Sequence, residues 1–399
     1  MKRCEVLIVG GGIAGLCAAV VFQRHGFDVR VCERAEVLWP VGAGILLAPN
    51  ALKVLEKLEL YTSVREQGHV LEQGMRVTDA NLSVIQSLGG AEEESLFHHH
   101  SLVIHRAVLQ ELLLSQLSEG TVHTGKSCSS VEQDTHGCRV LFEDGDTCLS
   151  DVVIGADGIH SAVRSQLFPE VTLRYSGETC WRGVADMDIP EQLVGMGIEM
   201  WGTGYRLGLF PMRQGQVYWF STEKTKSGQK DGDVAGVKSM LVQRFSGFAG
   251  PGLEILQATS AQTITRHDLF DFVPMRSWHR GRIGLIGDAA HATTPNMGQG
   301  GCQSIEDAWG LQLALQEGIE QAEGAHQRID WSGVLIRFEA LRLDKAQFVV
   351  NNSYRFGKLA QWRNPWLCRL RNAFLRCTPQ SVMLRQMRFL YELADGKVE

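Results

Sequence analysis

The chain has 399 residues, enough for about two domains, and its 44% hydrophobic and 21% charged residues are typical of a soluble globular protein. The net charge of −6 argues against a nucleic-acid-binding surface, and no stretch approaches the roughly 18 uninterrupted apolar residues of a membrane span. The ten cysteines form neither a C-x-x-C pair nor a zinc spacing, so we expect reduced thiols, a cytoplasmic protein and no metal site.

The first forty residues predict a strand, a turn, a helix and a second strand. Val6–Val9 is an apolar run that suits a buried parallel strand, Leu16–His25 follows as a helix, and Asp28–Cys32 forms the second strand. Three glycines after the first strand have the G-x-G-x-x-G spacing of a dinucleotide-binding turn: Gly10, Gly12 and Gly15. They permit a tight turn, a close approach of pyrophosphate to the backbone, and close helix packing. Glu33 would accept hydrogen bonds from a ribose diol.

The next segment predicts an excursion from this pattern. Val41–Asn50 is a glycine-rich apolar loop, and Asn50 is a natural N-cap for a helix over Ala51–Leu60. Gly74–Leu88 alternates and turns like a hairpin, which suggests a second sheet. Three adjacent histidines, His98–His100, cannot converge on one metal ion, so we expect an exposed loop or strand end there.

The chain then returns with a predicted strand at Leu102–Arg106 and a helix at Ala107–Leu117. Short strands are predicted at 122–124, 128–133, 137–142 and 147–149. Asp151–Gly158 is a second buried strand that runs into an Asp-Gly corner, and Ser161 and Arg164 follow it at helical spacing. This corner is the second candidate for a ligand-binding turn.

The pattern changes from Val171 to Arg266, where strand-like, aromatic-rich pieces and one helix near Gly236–Phe245 predict an inserted antiparallel sheet. Gly281–His291 then restores the buried strand, which ends in Gly-Asp. Pro295–Cys302 and a helix over 303–315 follow, and the tail from residue 331 is predicted to be helical and increasingly basic.

Three predicted buried strands thus end in turns suited to a ligand: Gly10–Gly15, Asp157–Gly158 and Gly287–Asp288. Ligands of open α/β sheets lie at the carboxyl ends of the strands, so we expect these turns to share one long ligand. We predict an α/β fold with a discontinuous dinucleotide-binding domain, an inserted β-sheet substrate domain and a C-terminal helical region. The predicted boundaries are 1–72, 101–170 and 270–325 for the first, 73–100 and 171–269 for the second, and 326–399 for the third.

With these residues in hand, the sequence resembles the single-component FAD-dependent aromatic hydroxylases, the group A flavoprotein monooxygenases. It looks closest to the branch that includes bacterial urate hydroxylase and plant zeaxanthin epoxidase. The most specific match is Gly284–His291 followed by Pro295–Cys302, which is similar to the second FAD motif of the family. The resemblance implies a Rossmann-like FAD-binding domain with a mixed, mostly parallel sheet in three layers.

The resemblance also implies which residues hold FAD. Arg106 matches an arginine that pairs with phosphate and ribityl oxygens, Asp288 matches an aspartate that binds the ribityl chain, and Gly42–Gly44 matches the loop beside the isoalloxazine. The first residues of the helix after Gly298 would place backbone N–H groups beside the flavin pyrimidine. The full implied set is Gly10, Gly12, Ile13, Ala14, Gly15, Glu33, Arg34, Gly44, Arg106, Asp157, Asp288, Pro295, Gly298, Gly300 and Gly301.

The activity that the resemblance implies is oxygen transfer. NAD(P)H reduces the tightly bound FAD and leaves, and O2 then forms a flavin hydroperoxide that hydroxylates or epoxidises a small aromatic or heteroaromatic substrate. The sequence has no second complete G-x-G-x-x-G unit, which fits a transient visit by NAD(P)H. We expect a monomer or homodimer whose partners are the substrate, O2 and NAD(P)H.

On the substrate side, Arg206 matches an arginine of urate hydroxylases and Tyr218 lies near a tyrosine that they use, so both are candidate catalytic residues. Arg206 would stabilise an anionic substrate; the alternative is an exposed strand arginine. Cys180–Gly183 is a second candidate lining, and the preceding residues 175–180 resemble the epoxidase branch.

Several alternatives remain at this point. Asp157 and Asp288 could cap helices, because aspartate is a favoured N-cap, and Arg106 could be a surface residue. The protein could be a flavin-dependent reductase or dehydrogenase, similar to geranylgeranyl reductases, or a non-catalytic flavin-binding protein. The basic, apolar stretch over 362–390 could touch anionic lipid, but docking on the FAD domain with a solvated basic face is favoured. Pro379 should break this stretch into short helices.

Overall fold

A computed structural model describes residues 3–38, 43–229 and 231–395 of the chain. Strands and helices alternate through its first third. They are β1 (Val6–Val9), α1 (Ile13–Arg24), β2 (Val29–Cys32), β3 (Gly44–Leu47), α2 (Pro49–Lys57), α3 (Tyr61–Gln67), β4 (His69–Val70), β5 (Met75–Asp79), β6 (Val84–Leu88), α4 (Ala91–Phe97), β7 (Leu102–His105), α5 (Arg106–Leu114) and β8 (Val122–His123).

Strands dominate the middle third. The elements are β9 (Cys128–Gln133), β10 (Cys138–Phe142), β11 (Thr147–Ser150), β12 (Val152–Gly155), α6 (Ala162–Leu167), β13 (Arg174–Asp186), β14 (Gly197–Trp201), β15 (Tyr205–Met212), β16 (Gln216–Lys224), α7 (Val234–Phe245), α8 (Gly252–Ala258) and β17 (Thr265–Asp271).

The last third is mostly helical. Its elements are β18 (His279–Arg280), β19 (Ile283–Leu285), α9 (Asp288–His291), α10 (Gly300–Ala325), α11 (Trp331–Ala360), α12 (Pro365–Arg376) and α13 (Gln380–Tyr391). No helix within the three described ranges is long and apolar enough to cross a membrane.

The first large sheet has six strands in the order β18-β19-β12-β1-β2-β8, and only β18 at its edge is antiparallel. Its central strands are fully buried, as their continuous apolar runs require. Val9 pairs with Gly155, and Gly155 pairs with Leu285. This register brings the three turns that follow β1, β12 and β19 side by side at one edge, as the sequence predicts.

The second large sheet has seven strands in the order β17-β13-β16-β15-β14-β5-β6. Its two faces differ because side chains alternate along each strand. One face carries Leu207, Leu209 and Trp219, which pack in a core with α7 and α8. The other face carries Cys180, Tyr218 and Phe220 and looks toward the first sheet. The inserted sheet is thus confirmed, with one difference: β5 and β14 pair in parallel.

Several local predictions need correction. Residues 44–47, predicted as loop, form β3, which pairs with β7 in a separate three-stranded sheet. Helix α2 begins at Pro49 after Ala48, so Asn50 lies inside it, fully buried, and is not its N-cap. His98–His100 lie in the loop before β7 as expected, and His98 is exposed, but His99 is only 5% exposed and its ring contacts Glu56. The division of the chain into three regions at the stated boundaries stays a prediction.

Candidate active site

A cavity of about 1090 Å³ extends from the three turns of the first sheet to the inner face of the second sheet and on to α13. Its nucleotide end is lined by Gly12, Ile13, Ala14, Arg34, Arg106, Gly158 and Asp288. Its middle is lined by the segment that begins α10 and by side chains of β13, β15, β16 and β17. Its far end is closed by β5 and β6, which belong to the predicted substrate domain, and by α13, which sequence analysis did not assign to the site.

The glycines after β1 divide into two packing glycines and one open glycine. A Cβ on Gly10, whose φ is +112°, would lie 2.3 Å from the carbonyl oxygen of Ala156, and one on Gly15 would lie 2.0 Å from the oxygen of Gly10. A Cβ on Gly12 would meet no atom within 4 Å. Only Gly12 therefore leaves its backbone open to a ligand at the start of α1, where the dipole and unpaired N–H groups favour a phosphate.

Glu33 has two backbone partners at the end of β2. Its Oε2 accepts a hydrogen bond from the N–H of Gly11 at 2.7 Å, and its Oε1 accepts one from Ala35 at 2.9 Å. Each carboxylate oxygen keeps a second lone pair, so the group is oriented without being saturated. This arrangement is compatible with the predicted contact to a ribose diol, which stays a prediction.

Asp157 and Asp288 follow equivalent strands but have different surroundings. The Asp157 carboxylate accepts hydrogen bonds from the hydroxyl of Ser161, the N-cap of α6, and from the first two N–H groups of that helix, Ala162 and Val163, and it does not line the cavity. The structure therefore favours the capping alternative for Asp157. Its neighbour Gly158, with φ +79° and no atom within 4 Å of a Cβ, is the open position at this corner.

Asp288 faces the cavity. Among the residues that the structure describes, no donor forms a hydrogen bond with its carboxylate, although Arg106 and Arg164 lie near enough to influence its charge. Desolvation raises the pKa of Asp288 above the usual aspartate value, and His291, Arg106 and Arg164 oppose this rise. The Asp288 side chain is exposed to this cavity, so its carboxylate is free to accept a hydrogen bond from a ligand.

The segment before α10 presents backbone to the same cavity. Gly298 has φ +63° in a short 3-10 turn over Pro295–Met297, and α10 begins at Gly300 without a side-chain cap. Its first N–H groups therefore have no partner within the helix. A Cβ on Gly301 would lie 2.5 Å from the end of the Ile45 side chain in β3, so helix and strand pack closely here.

Buried charges hold this segment in place. Asp307 of α10 binds the N–H of Gly287 and the His291 ring, at 2.8 and 2.7 Å, and also pairs with Arg342 of α11. Burial opposes ionisation, but His291 and Arg342 outweigh it and lower the pKa of Asp307. His291 is thus a hydrogen-bonded structural residue, as expected.

The substrate-facing part is an aromatic surface with a few polar groups. Phe210, Tyr218 and Phe220 lie in mutual contact, with ring centroids 6.0 to 6.4 Å apart. Burial raises the pKa of Tyr218 to about 12, so its hydroxyl is a proton donor and not a base at neutral pH. A Cβ on Gly44 would lie 2.7 Å from the Tyr218 ring, which places β3 directly against it.

Arg182 and His267 supply polar chemistry beside these rings. The Arg182 Nε donates to the Cys180 sulfur at 3.4 Å, and among the described residues no carboxylate pairs with this guanidinium. Desolvation lowers the pKa of His267, and Arg182 and Arg266 lower it further, so the imidazole is neutral at pH 7. Of the predicted Cys180–Gly183 lining, Cys180 and Arg182 reach the cavity, whereas Trp181 packs on the opposite face of the sheet.

Arg206 is not where either alternative expected it. It is 1% exposed, so it is no surface arginine, and it is absent from the cavity lining. Its guanidinium donates to Glu199 at 2.9 Å and to Glu178 at 3.4 Å. It also donates to Asn296 and Thr222, so all its nitrogens are engaged. The geometry favours a positioning role, in which Arg206 fixes Asn296 and Glu199 at the cavity edge.

The open glycines, the unpartnered Asp288 and the cations Arg34 and Arg106 fit FAD stretched along the first sheet, with its reactive ring near the start of α10. Residues 3–330 match the family described as FAD binding domain. Two curated relatives are the aurachin C monooxygenase/isomerase of Stigmatella aurantiaca, 37% identical over 93% of each chain, and the 2-heptyl-3-hydroxy-4(1H)-quinolone synthase of Pseudomonas aeruginosa, 34% identical over 97% of each.

Comparison with solved structures agrees. Klebsiella pneumoniae HpxO complexed with FAD and uric acid superposes with a TM-score of 0.86 at 28% identity, covering 98% of this chain and 96% of the other. The FAD-dependent urate hydroxylase of the same organism is 30% identical over 92% of this chain and 94% of its own. The chain belongs to the FAD-binding monooxygenase family and is an FAD-dependent monooxygenase.

Proposed function

We propose that the enzyme uses NAD(P)H and O2 to hydroxylate a 4(1H)-quinolone or similar N-heteroaromatic ring that carries an aliphatic chain. The single observation that carries this proposal is the shape of the cavity. Beyond its aromatic surface it continues into a largely apolar end lined by Met75, Val77 and Leu88 and by Met383, Met387 and Leu390, together with the polar Gln86, Glu93 and Gln386. A compact polar substrate would leave this end unfilled, whereas an aliphatic chain would bury apolar area there.

Two relatives support the same substrate class. The Stigmatella relative is named for aurachin C and the Pseudomonas relative for 2-heptyl-3-hydroxy-4(1H)-quinolone, and both match nearly the full length of this chain. NAD(P)H as the transient reductant, a cytoplasmic location and a monomeric or homodimeric state are parts of the proposal. Nine of the ten cysteines are free and buried, which is compatible with a reducing compartment.

Bound FAD supplies the activation of O2, and the protein must bind, orient and activate the ring. We infer that Arg182 binds the ring carbonyl oxygen, because it is a guanidinium without a carboxylate partner beside the aromatic surface. A cation at this oxygen stabilises the negative charge that appears when the ring loses its N–H proton. The ring carbon next to the carbonyl then becomes a better nucleophile.

His267 is the proposed acceptor of that proton. Its lowered pKa keeps the imidazole neutral, and a neutral ring nitrogen can take a proton that a charged one cannot. Tyr218, Phe210 and Phe220 would hold the ring by aromatic contact and exclude water. Tyr218 keeps its place as a predicted substrate-side residue, and Arg206 acts behind it through Asn296 and Glu199.

The test is a substrate series with the purified FAD-loaded enzyme. The compounds are 4(1H)-quinolones with methyl, pentyl, heptyl and nonyl chains, together with urate and salicylate. The readouts are substrate-stimulated NAD(P)H oxidation and a product with one added oxygen atom. Each methylene that enters the apolar end should lower KM by about fourfold, from about 0.8 kcal/mol per buried CH2. Stimulation and oxygen incorporation with urate or salicylate, and none with any quinolone, would overturn the proposal.

A further inference from the structure

Helix α12 exposes an apolar row that nothing in the described protein covers. Trp366 is 75% exposed, Leu370 65% and Phe374 73%, at a spacing of four residues, and the adjacent Leu367 is 44% exposed. Residues spaced in this way lie on one side of a helix. The opposite side docks on the protein through the buried Cys368 and Arg371, so the apolar row is not the docking side.

The charge around this row is of one sign. Between residues 345 and 391 the chain has no Asp or Glu, although its overall net charge is −6. The same segment has nine basic residues: Lys345, Arg355, Lys358, Arg363, Arg369, Arg371, Arg376, Arg385 and Arg388. Exposed Arg369, Arg385 and Arg388 have no carboxylate partner among the described residues, and the Arg369 guanidinium lies 5.2 Å from the Trp366 ring centroid.

Acidic groups contact the margin of this surface. Asp79 lies 3.7 Å from Arg376, Glu223 lies 4.0 Å from Arg363, and Glu92 accepts a hydrogen bond from Gln380. All three belong to elements beside the helices, and among the described residues the apolar row itself has the basic neighbour Arg369. An apolar side flanked by exposed arginines, with an aromatic residue at each end, is the chemistry of a helix that lies in a membrane interface.

Helix α13 connects this surface to the cavity. Met383, Met387 and Leu390 line the cavity, whereas Val382 and Phe389 of the same helix are 53% and 45% exposed. One helix therefore separates the apolar end of the cavity from the exterior, directly after α12 in the chain. A surface that contacts lipid here would lie next to the part of the cavity that takes an aliphatic chain.

We propose that α12 docks on anionic lipid, with Trp366, Leu367, Leu370 and Phe374 in the boundary between headgroups and acyl chains and the neighbouring arginines on the headgroup phosphates. We choose a lipid surface rather than a partner protein because the exposed charges beside the apolar row are all positive and the row lies on a single helix. The docking itself does not depend on which substrate is hydroxylated. The passage of substrate from lipid past α13 rests on the proposed function.

The experiment uses the full FAD-loaded chain and sedimentation with vesicles of pure phosphatidylcholine or of phosphatidylcholine with phosphatidylglycerol. We expect binding to the anionic vesicles that weakens as salt is raised, because surface charges are screened within about 10 Å at 0.1 M salt. Binding to neither vesicle would overturn the proposal. Equal binding to both kinds of vesicle would contradict the proposed contact between the arginines and the anionic headgroups.

Two variants with matched controls separate the contributions. Trp366→Ser with Phe374→Ser should lower vesicle affinity by at least about tenfold, because two large apolar side chains leave the interface. Val273→Ser, at a 66% exposed valine elsewhere, should leave it unchanged. Arg369→Gln with Arg388→Gln should weaken binding and flatten the salt dependence, whereas Arg213→Gln, an exposed arginine of another surface, should not. Equal effects of variants and controls would contradict the docking surface.

Two further measurements keep this proposal distinct from the substrate assignment. The row could instead join two copies of the chain, so light scattering without lipid should give the same mass for the wild type and for the Trp366→Ser, Phe374→Ser variant. A dimer that this variant dissociates would overturn the lipid proposal. Turnover of a water-soluble methylquinolone should be unchanged in the variant. Vesicle binding without turnover of any quinolone would overturn the substrate assignment alone.

Discussion

The two ends of the cavity are built in different ways. At the nucleotide end, the ligand-facing groups are mainly backbone, set by turns directly after β1 and β12 and by the start of α10. At the substrate end they are side chains from strands far apart in sequence, such as Arg182, Tyr218 and His267, and a wall from α13. The first end depends on local conformation, the second on sheet register. We therefore expect that separate substitutions can weaken FAD binding without changing substrate choice, and the reverse.

The largest expected effect lies behind the substrate end. Arg206→Ala leaves Glu178 and Glu199 buried without their cation, and removing one partner of a buried pair costs about 3–5 kcal/mol. Urea unfolding of the FAD-free protein measures this loss. Arg206→Met combined with Glu178→Gln and Glu199→Gln should restore most of the stability, because no charge remains unpaired. If Arg206→Ala were as stable as the wild type but inactive, a direct substrate contact would replace the positioning role.

The next effect distinguishes two glycines of the nucleotide end. Gly10→Ala places a Cβ 2.3 Å from a carbonyl oxygen at φ +112° and should cost about 2–4 kcal/mol of unfolding free energy. Gly12→Ala, where a Cβ meets nothing within 4 Å, should fold normally but bind FAD more weakly. Thermal unfolding and fluorescence titration with FAD measure the two quantities. Similar stability of both variants would remove the distinction between packing and open glycines.

A third comparison uses the two aspartates. Asp288→Ala should keep the fold and weaken FAD about ten- to hundredfold, the value of one or two charge-assisted hydrogen bonds. Asp157→Ala removes the acceptor of two N–H groups in the first turn of α6 and should cost about 1 kcal/mol of stability with little change in FAD affinity. Equilibrium dialysis and urea unfolding of both variants provide the answer. A larger FAD loss in Asp157→Ala would reverse the assignment.

At the substrate end, Arg182→Gln should lower kcat/KM for a quinolone about ten- to hundredfold while FAD affinity stays unchanged, because a charged hydrogen bond to the ring oxygen is lost. Steady-state kinetics on the FAD-loaded enzyme test this. Arg182→Lys keeps the charge and should recover part of the activity. Unchanged kinetics in the glutamine variant would exclude Arg182 from substrate binding.

The smallest effect is a pH dependence. The folded-state pKa of His267 is lowered, so the unfolded chain binds its proton more readily, and stability falls as pH drops below the unfolded value of about 6.5. His267→Gln should lessen this fall slightly, since four other histidines, at 69, 99, 105 and 123, also have lowered pKa values. Urea midpoints between pH 7.5 and 5 measure it. If His267→Gln left the pH dependence of stability unaltered, the pKa of His267 would not be lowered in the folded protein.

The same contrast explains what the sequence could predict. Gly10 to Gly15 and Gly287-Asp288 carry recognisable local motifs, so motif and spacing located them, although Ala156 and Asp307 from distant segments also contact these turns. Asp157 was ambiguous, because a capping aspartate and a ligand-binding one share the same local pattern. The buried strands β1, β12 and β19 followed from continuous apolar runs, whereas β3 and the parallel pairing of β5 with β14 depend on contacts far along the chain.

Arg206 shows the limit most clearly. The sequence pattern predicted that Arg206 lies in a strand next to Leu207, but it could not predict which side chains surround the guanidinium. Glu178, Glu199 and Asn296 come from three distant segments, and only their convergence reveals that the guanidinium is occupied. The role of α13 was missed for a similar reason: an amphipathic tail has the same pattern whether it covers a cavity or the protein exterior.

The order of strands in the first sheet has a consequence for how the enzyme is made. β1, β2, β8 and β12 are all synthesised by residue 155, but β19 and the turn after it emerge more than a hundred residues later, once the seven-stranded sheet has been translated. The nascent chain can thus assemble four parallel strands before all three turns of the FAD-binding site have been synthesised. We therefore expect FAD to bind only late in folding, once the turn after β19 and the start of α10 have joined these strands.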